Sequence, residues 1–393
     1  MRFELGVALR YLRSGHKSKF ISAVTIFSVL GVAVGVMALI IVLAVMSGFD
    51  NDLREKIVGV NPQVYVQAAE GITFPYEVIK EIKDIEHVVA ASPFIEGQAL
   101  LFKNKYAQGV MMRGINSQLE PEVTRLREYL IAGYLPEAEN SILVGKELAR
   151  TFNLGVGSII TVVSPVKEKK YKFTVCGIFN TGMYDYDASW TYISLSDAGT
   201  FFDTDGAVSA VGVKIDDLFK AEEVKKDILK KLGYSYWVRT WMEVNRSFFS
   251  SLKLEKTVMF IIVALIVMVA SFNIISTLIM MVMEKTKDIG ILKSLGASRI
   301  SIALIFTFCG VIIGTLGTVV GAGSGFLACH LLEKYEFIKL PADIYYVSTL
   351  PVQIQWNDSI LIAVSAVALS FLATLYPAYQ AAGLNPVEAL RYE

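Results

Sequence analysis

The sequence predicts an α-helical membrane protein with four transmembrane helices and an α+β extracytoplasmic domain. Its 393 residues are 54% hydrophobic and only 19% charged, with a mean hydropathy of +0.50. Four uncharged apolar runs are each long enough to cross the roughly 30 Å hydrocarbon core of a bilayer. Between the first two runs lies a long segment with mixed strand and helix patterns. The composition therefore excludes an ordinary soluble protein and also a protein that lies wholly in lipid.

The predicted transmembrane helices are residues 20–46, 257–283, 300–332 and 359–382. At about 1.5 Å per residue the first two reach about 40 Å, so their ends are expected to leave the hydrocarbon as stalks. The first run is too long for the apolar core of a signal peptide, and no small-residue cleavage site follows it. It is expected to be an uncleaved anchor.

Lysine and arginine are concentrated before the first span and between the second and third. Residues 1–19 hold five of them and the loop 284–299 holds four, whereas the loop 333–358 holds two. Because short cytoplasmic flanks carry the positive excess, both termini, including the tail 383–393, are expected in the cytoplasm. Residues 47–256 and the loop 333–358 are then extracytoplasmic.

The N-terminal segment, residues 1–19, is predicted to form an interfacial helix on the inner leaflet. Residues 3–12 alternate apolar and polar side chains at helical spacing, which is typical of such helices. A poorly ordered basic tail is the alternative.

Two parts of the outer domain, residues 64–93 and 207–240, share a strand, helix, strand pattern. They predict two βαβ units. The insertion between them, about residues 100–200, has β-rich runs with glycine breaks and predicts a second, mainly β subdomain. Residues 47–57 and 241–256 keep helical spacing, so the domain is expected to stand on two helical stalks.

No catalytic, metal or nucleotide site is predicted. A net charge of +0 gives no electrostatic support for nucleic-acid binding. The chain has no G-x-x-x-x-G-K-[ST] and no strand followed by G-x-G-x-x-G, so ATP hydrolysis by this chain is unsupported. Ser324 has a nearby base in His330, but six residues place them about 240° apart around a helix. His16 and His87, like His330, lack partners at metal-ligand spacing. Only Cys176 lies in the large domain, so no intramolecular disulfide is available there.

Small residues at helical spacing mark two of the predicted spans. Such ridges let helix backbones approach closely, either within a protomer or across a dimer. A polar residue in the second span, Asn273, is expected to seek an interhelical partner or to face a substrate. The predicted packing glycines are Gly31, Gly35, Gly310, Gly314, Gly317, Gly321 and Gly325.

The loop after the second span, EKTKDIGILKSLGAS from residue 284 to 298, predicts a short amphipathic helix. Ile289, Leu292 and Leu295 lie on adjacent turns, and the charged residues take other directions. Gly296 is placed to end this helix and Ser298 to cap the next. A docking helix for a cytoplasmic partner and a surface helix on lipid headgroups both fit the pattern.

Three segments resemble a known family. They are FISAVTIFSVLGVAVGVMALIIVLAVMSGFDNDLREKI at the first span, EKTKDIGILKSLGAS, and NPVEALRYE at the C-terminus. They resemble the permease subunits of the lipoprotein-releasing (Lol) ABC transporter, within the broader FtsX/MacB-like permease family. The resemblance extends over nearly the whole chain.

The resemblance implies a non-catalytic permease subunit that pairs with a second protomer, identical or sister, and with a cytoplasmic ABC ATPase dimer. ATP and Mg²⁺ would bind the ATPase, and this chain would hold no cofactor. ATP-driven closure would pass up the stalks and lift a lipoprotein from the outer leaflet of the inner membrane to a periplasmic carrier. The coupling helix would contact the ATPase through Glu284, Lys287, Asp288, Ile289, Leu292 and Lys293.

The resemblance also implies a cavity, open to membrane lipids, for the acyl chains of the cargo. The stretch that matches a carrier-gripping hook in some relatives, SPVKEKKYKF from residue 164 to 173, is short. Only a tight basic hairpin is expected there, which favours a lipoprotein-binding subunit or one with a reduced hook. The residues expected to border the cavity are Val42, Met46, Phe49, Met259, Ile262, Ile266 and Asn273.

Two alternatives stay open within the family. One is MacB-like export of another amphiphile or a peptide, and the other is an FtsX-like relay that activates an extracellular hydrolase and transports nothing. A membrane-anchored enzyme is a third reading, from a different class of protein, and the sequence offers no catalytic constellation for it.

Overall fold

The computed structural model describes residues 2–13, 19–103, 106–166, 168–335 and 350–385. Parts of the predicted N-terminal helix, of the loop 333–358 and of the tail 383–393 lie outside these residues. The chain forms two compact units. The helical unit contains the described residues up to Asp50, from Leu252 to Tyr335 and from Leu350 onward. The sheet unit contains Asn51–Ser251.

The described residues form thirteen α-helices. Two of them, α2 and α10, run from one unit into the other. The helices are α1 (Arg2–Arg13), α2 (Lys19–Val60), α3 (Pro75–Ile82), α4 (Glu120–Val123), α5 (Lys146–Thr151), α6 (Tyr184–Ser189), α7 (Leu195–Phe202), α8 (Ala221–Leu232), α9 (Trp241–Val244), α10 (Arg246–Glu284), α11 (Thr286–Ser294), α12 (Arg299–Tyr335) and α13 (Trp356–Gly383).

Four of the described helices are long and apolar enough to cross a membrane: α2 from Ala23, α10, α12 and α13. This agrees with the predicted class of fold. The helices α2 and α10 have 42 and 39 residues, well beyond the about 20 residues that a span requires.

A ridge of glycines on α12 brings two other helices close. At Gly310 and Gly314 an added Cβ would overlap the side chains of Thr374 and Ser370 on α13. Further along the same face, Gly317, Gly321 and Gly325 lie against α2. The absence of a side chain at these positions is what permits the close approach. The predicted packing glycines of the third span therefore make contacts within one protomer.

The sheet unit contains one ten-stranded sheet. Its order is β10-β1-β9-β2-β3-β8-β5-β7-β4, and β6 pairs with β2 and β7. The strands are β1 (Val64–Ala68), β2 (Val88–Lys103), β3 (Tyr106–Ile115), β4 (Leu130–Gly133), β5 (Ser141–Gly145), β6 (Ile159–Val163), β7 (Lys170–Phe179), β8 (Trp190–Ser194), β9 (Ala210–Ile215) and β10 (Tyr236–Thr240).

The two predicted βαβ units do not form as separate units. The segments β1-α3-β2 and β9-α8-β10 exist, but β9 lies between β1 and β2, and β1 lies between β9 and β10. All three pairings in this part are antiparallel. The result is two interleaved split βαβ motifs. Hydrophobic periodicity identifies the type of each element but not its neighbour in the sheet, so the sequence could not reveal the interleaving.

The strand-rich insertion continues the same sheet. The 16-residue β2 pairs with β9 along its first half and with β3 and β6 along its second half. One hydrophobic core contains buried residues from both parts, such as Val64 and Ile228 on one side and Ile142 and Phe173 on the other. The predicted second subdomain is therefore part of a single β-rich domain.

Candidate functional site

The short helix α11 joins α10 to α12, and both of its predicted boundary residues are confirmed. Gly296 has φ +98°, the left-handed conformation that ends many helices. Ala297 N donates a hydrogen bond to Leu292 O at 3.0 Å across this turn. Ser298 Oγ then accepts from Ser301 N at 3.0 Å and caps the start of α12.

One side of α11 packs on the protomer itself. Ile289 is fully buried, and Leu292 packs half-buried against the same core. Lys293 Nζ donates to two backbone carbonyls at the end of α13, Ala382 O at 2.7 Å and Leu384 O at 2.6 Å. Burial, and secondarily the charge of Arg299, lowers the pKa of Lys293. These three side chains, predicted to face a partner, are engaged within the chain.

The opposite side presents an exposed stripe, which we define as Glu284 at the end of α10, Lys287 and Ile291 on α11, and Leu295 directly after α11. Their spacing of three or four residues places them on one helix face. Ile291 is 49% exposed and Leu295 is 80% exposed. Ile291 is not among the residues predicted to contact a partner, although its spacing of four residues from both Lys287 and Leu295 places it on the same helix face. Apolar side chains between charged ones on an exposed face are suited to binding a protein.

Asp288 occupies the edge between the two sides of α11. Its carboxylate Oδ2 lies 3.2 Å from Lys285 Nζ, and the Lys285 ammonium also lies 5.3 Å from the centroid of the Tyr11 ring on α1. Helix α1 packs along the start of α12, with Ala8 fully buried and Glu4 Oε1 accepting from Ser301 Oγ at 3.2 Å. The start of α12 is therefore held by α1 as well as by α11.

Polar and small residues join α2 and α10 near the end of α10 that leads to α11. Ser28 Oγ and Thr277 Oγ1 are hydrogen-bonded, and the amide of Asn273 lies against Gly31. One turn further along α2, Gly35 lies against Ile266 of α10. The buried residues of α10 are Ile274, Thr277, Leu278, Met281 and Val282.

The preceding part of α10 has an uncovered apolar surface, which we call the open face. In the most apolar 18-residue stretch of α10 only 6% of the residues are buried, whereas in the corresponding stretch of α12 the share is 44%. Bulky side chains without cover are suited to acyl chains or to another apolar helix. The exposed residues of the open face are Val258, Phe260, Ile261, Ile262, Leu265, Met268, Val269 and Phe272.

The seven residues expected to border a lipid cavity divide into two groups. Val42 and Ile262 are exposed, and Met46, Phe49 and Met259 are half-buried. Ile266 and Asn273 instead fill the space between α2 and α10. Ile266 also lines a narrow apolar crevice between α2, α10 and α13, together with Val36, Leu39, Ala270 and Leu369.

In the sheet unit a buried arginine secures the end of α2. The Arg113 guanidinium lies between the rings of Phe94 and Trp190, at 4.7 and 4.6 Å from their centroids. Its Nε and Nη2 donate to Glu96 Oε2 at 2.9 and 2.6 Å. Nη2 also lies 3.5 Å from Oδ1 of Asn61, the residue that follows α2.

Asn61 and Glu120 complete this polar cluster. Asn61 Nδ2 donates to the Tyr186 hydroxyl at 2.6 Å, and burial raises the pKa of Tyr186. Glu120 is 2% exposed, and burial raises the pKa of its carboxyl against the opposing charge of Arg113. None of these residues could be predicted as a cluster from the sequence, because they lie on separate strands, helices and loops.

Two family profiles together match most of the chain. The MacB-like periplasmic core domain matches residues 25–231, and the FtsX-like permease C-terminal domain matches residues 260–386. The first profile covers α2 and most of the sheet unit, and the second covers most of α10, all of α11 and α12, and α13.

Full-length relatives are found among curated proteins. A lipoprotein-releasing system transmembrane protein LolC of Xylella fastidiosa is 36% identical and aligns over 99% of this chain and 98% of its own length. LolC of Neisseria meningitidis serogroup B is 33% identical over 99% of both chains. LolE of Haemophilus influenzae is 30% identical over 98% of both chains.

Proposed function

This chain belongs to the family of LolC- and LolE-type lipoprotein-releasing transmembrane proteins, and on that premise we propose that it is the permease subunit of an ABC transporter that extracts lipoproteins from the inner membrane. In this proposal the four apolar helices span that membrane, both termini are cytoplasmic and the sheet unit is periplasmic. Full-length similarity to the LolC and LolE proteins supports the proposal.

The open face of α10 is the observation that carries the proposed cargo site. A lipoprotein leaves the bilayer only if its acyl chains find another apolar surface, since each exposed CH₂ costs about 0.8 kcal/mol. Ile262 on the open face and Val42 on α2 are exposed apolar side chains of the kind required. A second permease protomer, placed across the same face, would complete the cavity.

External work is supplied by a separate ATPase in this proposal. The exposed stripe of α11 is the docking surface, with Ile291 and Leu295 as apolar contacts and Glu284 and Lys287 as charged ones. Closure of an ATPase dimer would move α11, and the continuous helices α2 and α10 would carry the movement to the sheet unit. The lengths of these two helices, 42 and 39 residues, support such transmission.

A periplasmic carrier would receive the cargo. Strands β6 and β7 form an antiparallel hairpin in which Val163 pairs with Lys170, and Ser164 N donates to Lys169 O at 3.1 Å. This hairpin is short, so we propose that the subunit primarily holds the lipoprotein and that its grip on a carrier is reduced.

The proposal is tested with a photo-crosslinking amino acid at Ile262 in the full-length protein, expressed with lipoproteins that carry alkyne-labelled fatty acids. Val319 on α12 is the matched control, because it is also an exposed apolar residue of a candidate span. Crosslinks to labelled lipoprotein at residue 262, absent at residue 319 and lost when ATP is added to the complex, are expected. Capture of an unacylated peptide or another amphiphile would favour MacB-like export. Capture of no cargo, with a hydrolase co-purifying through the sheet unit, would favour the FtsX-like relay.

A further inference from the structure

The ammonium group of Lys293 joins two helices that are far apart in the chain. Lys293 lies in the last turn of α11, and its two acceptors, Ala382 O and Leu384 O, are the carbonyls that flank Gly383 at the end of α13. The contacts of 2.7 and 2.6 Å link residues that are 89 and 91 positions apart.

This contact satisfies a physical need of α13. The last carbonyls of a helix have no partner within the helix, and the helix dipole places partial negative charge at that end. A lysine ammonium has three donors and a positive charge, so it matches both features. Lys293 is half-buried, so fewer water molecules can reach its ammonium group. The two carbonyl acceptors therefore contribute more to its stabilisation.

The contact also has a mechanical consequence. Helix α11 is directly preceded by α10 and followed by α12 in the chain, whereas α13 is not adjacent to it in the sequence. Helix α13 packs on the glycine ridge of α12 through Ser370 and Thr374, nearer its middle. Lys293 adds a direct connection at the end of α13, on the side of α11 that faces away from the exposed stripe.

We propose that Lys293 is a positioning residue that transmits displacement of α11 to the end of α13. A partner that moves α11 then moves three of the candidate spans together. This inference rests on the proposed function, since it assumes that a partner displaces α11. It differs from the expectation that Lys293 contacts the ATPase. A lysine that points inward affects how displacement of α11 reaches α13 and leaves the affinity for the ATPase unchanged.

The test compares Lys293→Met, Lys293→Arg and Lys287→Met in the full-length protein with its ATPase in lipid nanodiscs. Lys293→Met removes the donors and keeps the aliphatic stem, and Lys293→Arg keeps the charge and donors. Lys287→Met changes a lysine of the exposed stripe on the same helix. The measurements are ATPase affinity, lipoprotein released per ATP hydrolysed, and hydrogen exchange in the last turn of α13.

We expect Lys293→Met to leave the Kd for the ATPase within about twofold, and to speed amide exchange at the end of α13 about fivefold through loss of the cation at the helix terminus. Lipoprotein released per ATP should fall severalfold, and Lys293→Arg should restore both measurements. Lys287→Met should weaken ATPase binding instead.

Two results would overturn the inference: a Kd that rises in Lys293→Met as much as in Lys287→Met, or release per ATP that is unchanged although exchange is faster. Wild-type protein that binds no ATPase and releases no lipoprotein would overturn the proposed function and the transmission role together. The exchange measurement on the permease alone would then still show whether Lys293 fastens α13.

Discussion

The side-chain amide of Asn273 on α10 lies directly against Gly31 of α2, one helical turn from the hydrogen bond between Thr277 and Ser28. On the N-terminal side of these contacts, the open face of α10 has little cover. The α2 and α10 pair is thus fastened at these residues near α11.

A cysteine pair at Gly31 and Asn273 should form a disulfide on mild oxidation. A Cβ at residue 31 would lie 3.6 Å from Asn273 Cγ, the atom whose place the sulfur of a cysteine at residue 273 would take, so the two thiols would be close enough to bond. The full-length protein is cut by a protease between residues 31 and 273 and run on a non-reducing gel. The disulfide keeps the two fragments together. Gly31→Cys with Phe272→Cys is the control, because Phe272 is 61% exposed on another face of α10. Equal crosslinking of both pairs would contradict the contact.

Gly321→Ala should destabilise the helical unit, whereas Gly323→Ala should not. A Cβ at Gly321 meets the backbone of Ala33 on α2, which cannot rotate away, but a Cβ at Gly323 meets nothing within 4 Å. Overpacking of this kind costs about 1–3 kcal/mol. Thermal unfolding in detergent measures the difference, and equal melting temperatures for the two variants would show that α12 and α2 are not in close contact at Gly321.

Substitutions on the exposed side of α11 should affect ATPase binding, whereas a substitution on the buried side should affect folding. Ile291→Asp and Leu295→Asp should leave the protein folded and abolish ATPase co-purification, because both side chains are exposed. Ile289→Asp should reduce the yield of folded protein, since an unpaired carboxylate at this fully buried site costs about 3 kcal/mol or more. Size-exclusion chromatography and pull-down separate the two results. Normal ATPase binding by Ile291→Asp would exclude the exposed stripe as the docking surface.

Arg113→Met should destabilise the sheet unit by about 3–5 kcal/mol, because it leaves the Glu96 carboxylate without its partner. Arg113→Lys should also be costly, by about 1.5–3 kcal/mol, since an ammonium cannot donate through two nitrogens and stack between two rings. The control is Arg125→Met. Arg125 pairs with Glu55 at 2.8 Å, but both side chains are exposed, so its removal should cost only about 0.2–1 kcal/mol. Urea unfolding followed by circular dichroism measures the free energy of unfolding of all three variants.

Glu120→Gln should stabilise the sheet unit at neutral pH and have a smaller effect near pH 4. Burial raises the pKa of Glu120 above its ordinary value of 4.5, so the folded state binds more protons than the unfolded state as the pH rises above that value. The free energy of unfolding of the wild type therefore falls with rising pH until the folded carboxyl ionises. Glutamine cannot ionise and keeps an acceptor for the Thr124 hydroxyl. A difference between variant and wild type that is constant from pH 4 to 8 would refute this assignment.

The membrane class of the fold could be predicted because lipid restricts the solutions so strongly. An uncharged apolar run of more than 20 residues has few alternatives to a spanning helix. The partner of each strand could not be predicted, since β1 pairs with β9 and β10, which lie more than 140 positions away. The same limit applies to Arg113, whose aromatic neighbours Phe94 and Trp190 come from different strands.

The short helix α11 likewise has features that the sequence predicts and features that it does not. Its ends could be predicted because Gly296 and Ser298 act on their own backbone. Which side faces outward could not, because the burial of Ile289 and the direction of Lys293 depend on where α12 and α13 lie. Sequence periodicity places apolar residues on a helix face but does not say whether that face meets its own chain or a partner.

The pairing of β1 with β10 requires β1 to wait, during synthesis, for a strand that is made much later. Arg239 Nη2 donates to Gln67 Oε1 across that pair, although 172 residues separate them. At a synthesis rate of about 5–20 residues per second, roughly 10–30 s pass between the two strands leaving the ribosome. For most of that interval, until β9 is made, β1 has neither of its sheet neighbours, and an unpaired strand edge promotes aggregation. A ribosome that stalls before residue 236 therefore leaves a chain that is anchored by α2 but cannot close its sheet.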